Sequence, residues 1–214
     1  MTIAIPRLDR TTSADRGLTI ADFFVPIGLG ERLNARARDV VLVLSGALFI
    51  YLTSLVVIHL PGNPIPITGQ TFGVLLVGGA LGLRRGFSAV ALYVLLGVVG
   101  LPFFAEGKGG IAVIWGASGG YLVGFVVAGA LVGRLAELGW DRRIGGALGA
   151  MLVGSVVIYA IALPWLKIVT GWTWDKTIET GLLPFVIGDT LKAILAAVLF
   201  PVAWWVVGRR PDDR

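Results

Sequence analysis

Six apolar runs, each close to the ~20 residues that carry a helix across a bilayer, take up most of the 214-residue chain. They cover Val40 to Leu60, Ile67 to Leu83, Phe87 to Ala105, Gly119 to Leu138, Ile144 to Ile168 and Leu182 to Val207. In hydrocarbon, each backbone N–H and C=O must be satisfied within the segment, so runs of this length form helices. Only 14% of residues are charged, mean hydropathy is +0.87, and soluble domains carry about 25% charge. The expected fold class is therefore an all-α integral membrane protein, a bundle of six transmembrane helices filling residues 40–207. A soluble reading, with the prolines at Pro64 and Pro66 as a turn and the next run as a core helix, fits these neighbours poorly.

Charge on the connections sets the expected orientation. Arg32, Arg36 and Arg38 precede the first run, Arg84 and Arg85 separate the second from the third, Arg134, Arg142 and Arg143 flank the turn after the fourth, and Arg209 and Arg210 follow the sixth. The alternate connections hold Lys108, Lys167 and Lys176 and no arginine. The positive-inside rule then puts both termini in the cytoplasm. Residues 1–39 form a charged N-terminal extension without the apolar core of a secretory signal, and 208–214 a short cytoplasmic tail. Leu18 to Arg38 reads either as an interfacial segment, with Phe23, Phe24, Ile27 and Leu29 inward and Arg32, Arg36 and Arg38 at the headgroups, or as a partly disordered tail.

The formal net charge of +5 comes from residues at segment ends, so nucleic acid is not an expected partner. No cysteine is present, which excludes disulfides and thiolate chemistry. Small residues recur every four positions: Gly78 and Gly82; Gly120, Gly124 and Ala128; Gly146, Ala150 and Gly154. Such stripes let helices approach closely, within the bundle or against a partner.

Polar chemistry gathers in two places. Pro64 and Pro66 stiffen a ribbon that delivers Thr68, Gln70 and Thr71 to the start of the second run. Inside the sixth run, Asp189 and Lys192 lie three residues apart on one helical face. Each such charge costs roughly 2.5–3.5 kcal/mol at a helix centre. They read either as a site for a polar ligand or as a self-satisfied pair that fixes packing. Tyr121, after the glycine-rich turn Gly116 to Gly120, is a further candidate for a pocket wall, whereas Trp115, Trp165, Trp172, Trp174, Trp204 and Trp205 read mainly as interfacial belt residues.

Enzymatic readings find little support. Gly116-Ala117-Ser118-Gly119 spells the GxSG of rhomboid intramembrane proteases, yet the sixth run lacks the histidine that activates such a serine. The only histidine, His59, closes the first run. Gly107-Lys108-Gly109 lacks the rest of a phosphate-binding loop.

Four separated motifs carry a family resemblance. They are Pro64-Ile65-Pro66-Ile67-Thr68-Gly69-Gln70-Thr71-Phe72-Gly73-Val74-Leu75-Leu76, the run from Ala91 through Gly100-Leu101-Pro102-Phe103-Phe104-Ala105, Gly119-Gly120-Tyr121-Leu122-Val123-Gly124-Phe125, and Gly188-Asp189-Thr190-Leu191-Lys192. Over about Val40 to Val207 the chain resembles the BioY family of biotin transporters, the substrate-capture components of energy-coupling-factor transporters in prokaryotes. The resemblance implies a six-helix bundle in the cytoplasmic membrane, biotin as ligand, and a pocket near the outer face capped by the loop between the first two spans. It also implies partners: a second membrane subunit and ATPase subunits. Catalysis, a cofactor and a metal are not implied.

On that reading Thr68, Gln70, Thr71, Tyr121, Asp189 and Lys192 bind the substrate. The alternative within the same class is capture of another small vitamin. Two departures stand out: the family usually reads Gly-Pro-Thr-Gly-Gly-Tyr where this chain has Gly116 to Tyr121, and the alanine-spaced docking face of such first helices is replaced here by Ser45, Gly46 and Ala47 followed by Phe49 and Tyr51.

Overall fold

The computed structural model describes residues 19–24 and 35–207. The extension before Thr19, residues 25–34 with Ile27, Leu29 and Arg32, and the tail with Arg209 and Arg210 lie outside the described residues. Among the described residues, eight α-helices follow in chain order: α1 (Ile20–Phe24), α2 (Ala35–Ser54), α3 (Gln70–Val98), α4 (Ile111–Trp115), α5 (Gly119–Glu137), α6 (Ile144–Thr170), α7 (Trp174–Gly181) and α8 (Leu183–Val207). Between α2 and α3 lies a two-stranded antiparallel ribbon, β1 (Val57–Ile58) with β2 (Ile67–Thr68), in which Val57 faces Thr68 and Ile58 faces Ile67.

Among the described residues, five helical stretches are long and apolar enough to cross a membrane: Arg36–Ser54, Gln70–Val98, Gly119–Glu137, Ile144–Thr170 and Trp174–Val206. Large apolar side chains such as Leu44, Leu48, Leu52, Val156, Ile187 and Leu191 point outward, as a chain whose solvent is lipid requires. The protein is a multi-pass membrane protein.

The second and third runs expected from sequence form one helix, α3, interrupted at Gly82, whose φ of 81° and ψ of −177° are not helical. Along a straight helix Gln70 and Tyr93 would stand about 34 Å apart, yet the Gln70 amide donates to the Tyr93 hydroxyl. A Cβ on Gly86 would come within 3.0 Å of the Gly78 Cα. The chain thus doubles back at Gly82, and residues 70–81 and 83–98 pack as two antiparallel arms. The expected loop around Arg84, Arg85 and Gly86 is absent because one glycine, in a backbone region that side chains exclude, makes the reversal. Two further boundaries move. The first run ends as helix at Ser54, with Val57 and Ile58 on the ribbon and His59 and Leu60 in the loop beyond it, and the third ends at Val98, leaving Leu101 to Phe104 in a loop before a 3-10 turn over Ala105–Gly107.

The small-residue stripes serve the bundle interior. Gly78 lies against Gly129 of α5, Gly124 against Ile158 of α6 at a virtual-Cβ distance of 3.0 Å, and Gly154 against Leu75 and Val132. On α2, Gly46 packs on Val77, Leu81 and Ala89 and Ala47 is buried, so Gly46 and Ala47 face inward while Ser45 is exposed.

At the end of the bundle holding the Gly82 reversal, α1 is docked rather than lying apart. Ile20 and Ala21 join the core. Asp22 pairs with Arg38, and with Arg85 at 2.6 Å, while Arg85 also reaches Asp39 at 2.8 Å. Burial works against the Asp22 charge, but the Thr19 N–H and the Arg85 guanidinium outweigh it and hold the carboxyl below its ordinary value. Arg38, expected at the headgroups, is therefore tied to α1, whereas Arg36 is exposed. Glu137 accepts from the Leu83 N–H at 2.9 Å beside the reversal, and the Trp204 indole of α8 donates to Asp141 at 2.7 Å.

Candidate functional site

At the opposite end, a cavity of about 480 Å³ including its mouth is lined by the ribbon and the start of α3 (Ile65, Pro66, Thr68, Gln70, Thr71), by Ala105, by α5 with the residue before it (Ser118, Tyr121, Leu122, Phe125), by Tyr159 of α6, and by Phe185, Asp189 and Lys192 of α8. All six residues singled out from sequence line this one cavity.

The pair at its base is real and shared. Lys192 Nζ donates to Asp189 Oδ1 at 2.8 Å, to the Thr68 carbonyl at 2.8 Å and to Thr71 Oγ1 at 2.9 Å. Thr71 Oγ1 donates to Asp189 Oδ1 at 3.0 Å, and the Tyr159 hydroxyl donates to Asp189 Oδ2. Beyond the pair itself, ribbon, α3, α6 and α8 all meet on these two charges. The extended backbone at Ile67 and Thr68 turns the Thr68 carbonyl away from helix pairing and towards Lys192, the use of stiffened ribbon geometry expected before α3.

The remaining polar groups are oriented by neighbours. Thr68 Oγ1 donates to Gln70 Oε1 at 2.9 Å, and Gln70, 6% exposed, is anchored through its amide on Tyr93. Gln70 thus braces the two arms of α3 while touching the cavity. Tyr121 donates to the Gly181 carbonyl at 2.6 Å and meets Tyr159 edge-on, with ring centroids 6.2 Å apart and planes at 88°. Phe185 and Phe125 supply apolar wall, and Ser118 adds a hydroxyl at the rim.

Loops from both sides fence the mouth. His59, next to β1, pairs with Glu106, which also pairs with Lys108. The Lys108 ammonium, and after it His59, hold the Glu106 carboxyl below its ordinary value. Asn63 donates to the Thr180 carbonyl at 2.9 Å and accepts from the Ile65 N–H at 2.9 Å, fastening the ribbon loop to α7. Trp165 donates to the Gly116 carbonyl at 3.1 Å and stacks on Trp115, so these two belt candidates also brace the turn before α5.

Sequence reasoning missed Tyr159, Ser118, Phe125 and Phe185 as cavity residues. For Tyr159 a signal existed, a phenol in the middle of a long apolar run, but it equally describes a buried filler. Among the described residues, no group of three or more His, Asp or Glu side chains stands close enough to hold a metal ion.

Comparison with known proteins places this architecture. The BioY family profile matches residues 29–209. A relative from Rhizobium etli named biotin transporter BioY is 37% identical over 170 residues, covering 76% of this chain and 90% of that one. A Pyrococcus horikoshii protein named probable biotin transporter BioY is 38% identical over 165 residues, covering 77% and 94%. Among solved structures, the S-component for biotin from an ECF-type ABC transporter superposes with a TM-score of 0.71 at 27% identity, over 78% of this chain and 91% of that one. With the four motifs converging on one cavity and matches spanning nearly the full length of its relatives, the chain belongs to the BioY family.

Proposed function

We propose that this protein captures biotin in the cytoplasmic membrane of a prokaryote as the substrate-binding component of an energy-coupling-factor transporter. The observation that carries this reading is the cavity in which Asp189, Lys192, Thr71 and Thr68 form a closed polar base under apolar walls. Biotin has a ureido ring with N–H donors and a carbonyl, an apolar thiophane ring and a carboxylate tail. Asp189 accepts from a ureido N–H, Lys192 contributes the positive charge that a carbonyl or carboxylate meets, and Gln70, Thr68 and Tyr121 complete or brace the polar contacts. Phe125 and Phe185 face the apolar ring. The protein acts as a carrier, and Ser118 serves as cavity wall.

The two arms of α3 are read as separate crossings, giving six in all with both termini cytoplasmic and the ribbon outside. A second membrane subunit and ATPase subunits supply the energy. Calorimetry on the purified chain in detergent, without nucleotide or metal, is the test. Binding of biotin with a Kd below ~1 μM, about 8 kcal/mol, is expected, and its absence, with another vitamin bound instead, would replace biotin as the substrate.

A further inference from the structure

A carboxylate offers about four lone-pair positions to donors. On Asp189, Oδ1 receives Thr71 Oγ1 at 3.0 Å and Lys192 Nζ at 2.8 Å, and Oδ2 receives the Tyr159 hydroxyl. Asp189 is 8% exposed. Three positions are thus filled by the protein and one, on Oδ2, stays open. The three N–H donors of Lys192 are all engaged, by Thr68, Thr71 and Asp189, and the hydroxyl hydrogen of Thr71 is spent on Asp189. The cluster is close to neutral as a unit, with a single vacant acceptor.

From this inventory we infer that Tyr159 sets the ligand class of the pocket: by occupying one position on Asp189 Oδ2, its hydroxyl makes the site selective for a neutral urea over a cationic guanidinium. This rests on the biotin reading above and concerns a residue that the family motifs in the sequence do not include. A urea N–H fills the one vacancy and adds no charge. A guanidinium, with N–H in place of the urea carbonyl, turns an acceptor into further donors and brings a second positive charge beside Lys192. The Tyr159 ring is not free to withdraw, since Tyr121 packs edge-on against it and is itself anchored on the Gly181 carbonyl at 2.6 Å. Tyr159 is therefore a positioning residue, and it acts on the ligand through Asp189.

Removing the hydroxyl opens a second position on Oδ2. A guanidinium then gains a hydrogen bond charged on both sides, stronger than the one a urea N–H makes to the same carboxylate. The experiment compares biotin with 2-iminobiotin, its guanidinium analogue, by calorimetry at neutral pH on the wild-type chain and on Tyr159→Phe. The ratio of the two dissociation constants within one preparation is insensitive to how much of the variant is folded. The ratio favouring biotin is expected to fall by about tenfold in Tyr159→Phe. A ratio unchanged within about twofold, or one that moves further towards biotin, while both proteins bind biotin, overturns the role of Tyr159. Failure of the wild-type chain to bind biotin overturns the functional reading instead.

Discussion

Three donors converge on Asp189 in an almost closed cavity. An isolated charge at a helix centre costs roughly 2.5–3.5 kcal/mol, whereas hydrogen bonds to charged groups return about 1.5–3 kcal/mol each, so Thr71, Tyr159 and Lys192 together offset the burial. Replacing Asp189 by Asn keeps the size and removes the charge, and it should weaken biotin binding by about 1.5–3 kcal/mol, measured by calorimetry. Asp189→Asn alone also leaves Lys192 uncompensated and should lower thermal stability, while adding Lys192→Met restores it. The expected double variant is stable and does not bind. One that binds as tightly as wild type would reduce the pair to a packing device. These two residues were legible in the sequence because charge inside an apolar run is costly and spacing of three puts them on one face. Tyr159 was not, because its worth depends on α6 lying across from α8.

At the scale of the element, Gly82 decides more than any apolar residue around it. It makes α3 into two arms, presents Gly78 to Gly86, and brings Leu83 to the Glu137 carboxylate. An alanine there would carry its Cβ to 2.8 Å from the Thr19 methyl and 2.9 Å from Glu137 Oε1, in a φ region of +81°. Gly82→Ala should lower stability by about 1–3 kcal/mol from backbone strain alone, read as a drop in thermal unfolding temperature of the ligand-free protein, and an unchanged unfolding temperature would show that the turn tolerates a side chain. The helices themselves were legible from apolar run length. Their junction was not, since Gly82 also fits a four-residue stripe with Gly78, and the hydropathy of a run carries no sign of a reversal made by one residue. The ribbon behaves similarly: Val56 to Leu60 is apolar enough to extend a helix, but pairing with Ile67 and Thr68 claims Val57 and Ile58 as a strand.

At the scale of the whole molecule, the polar cavity and the arginine-rich reversal occupy opposite ends of the bundle, which couples the site's location to orientation across the membrane. If the arginine bias governs insertion, reporter fusions after Arg85 and after Arg210 should both read cytoplasmic, placing the cavity mouth outside. An external reading at either position would invert the proposed direction of capture. The sequence by itself determined that this chain crosses a membrane repeatedly, which end of each run is basic, and which charged and polar residues are too costly in hydrocarbon to be incidental. Those conclusions follow from the solvent, which acts on each segment locally through composition. Only the tertiary structure decided that α3 reverses without a loop, that the small residues of α2 face inward, and that Thr71 and Asp189, 118 positions apart, share a proton donor and acceptor with Tyr159 beside them. The physical reason is that hydrogen bonds between distant segments depend on how helices pack, and helix packing is set by side-chain shape across neighbours rather than by any pattern within one run.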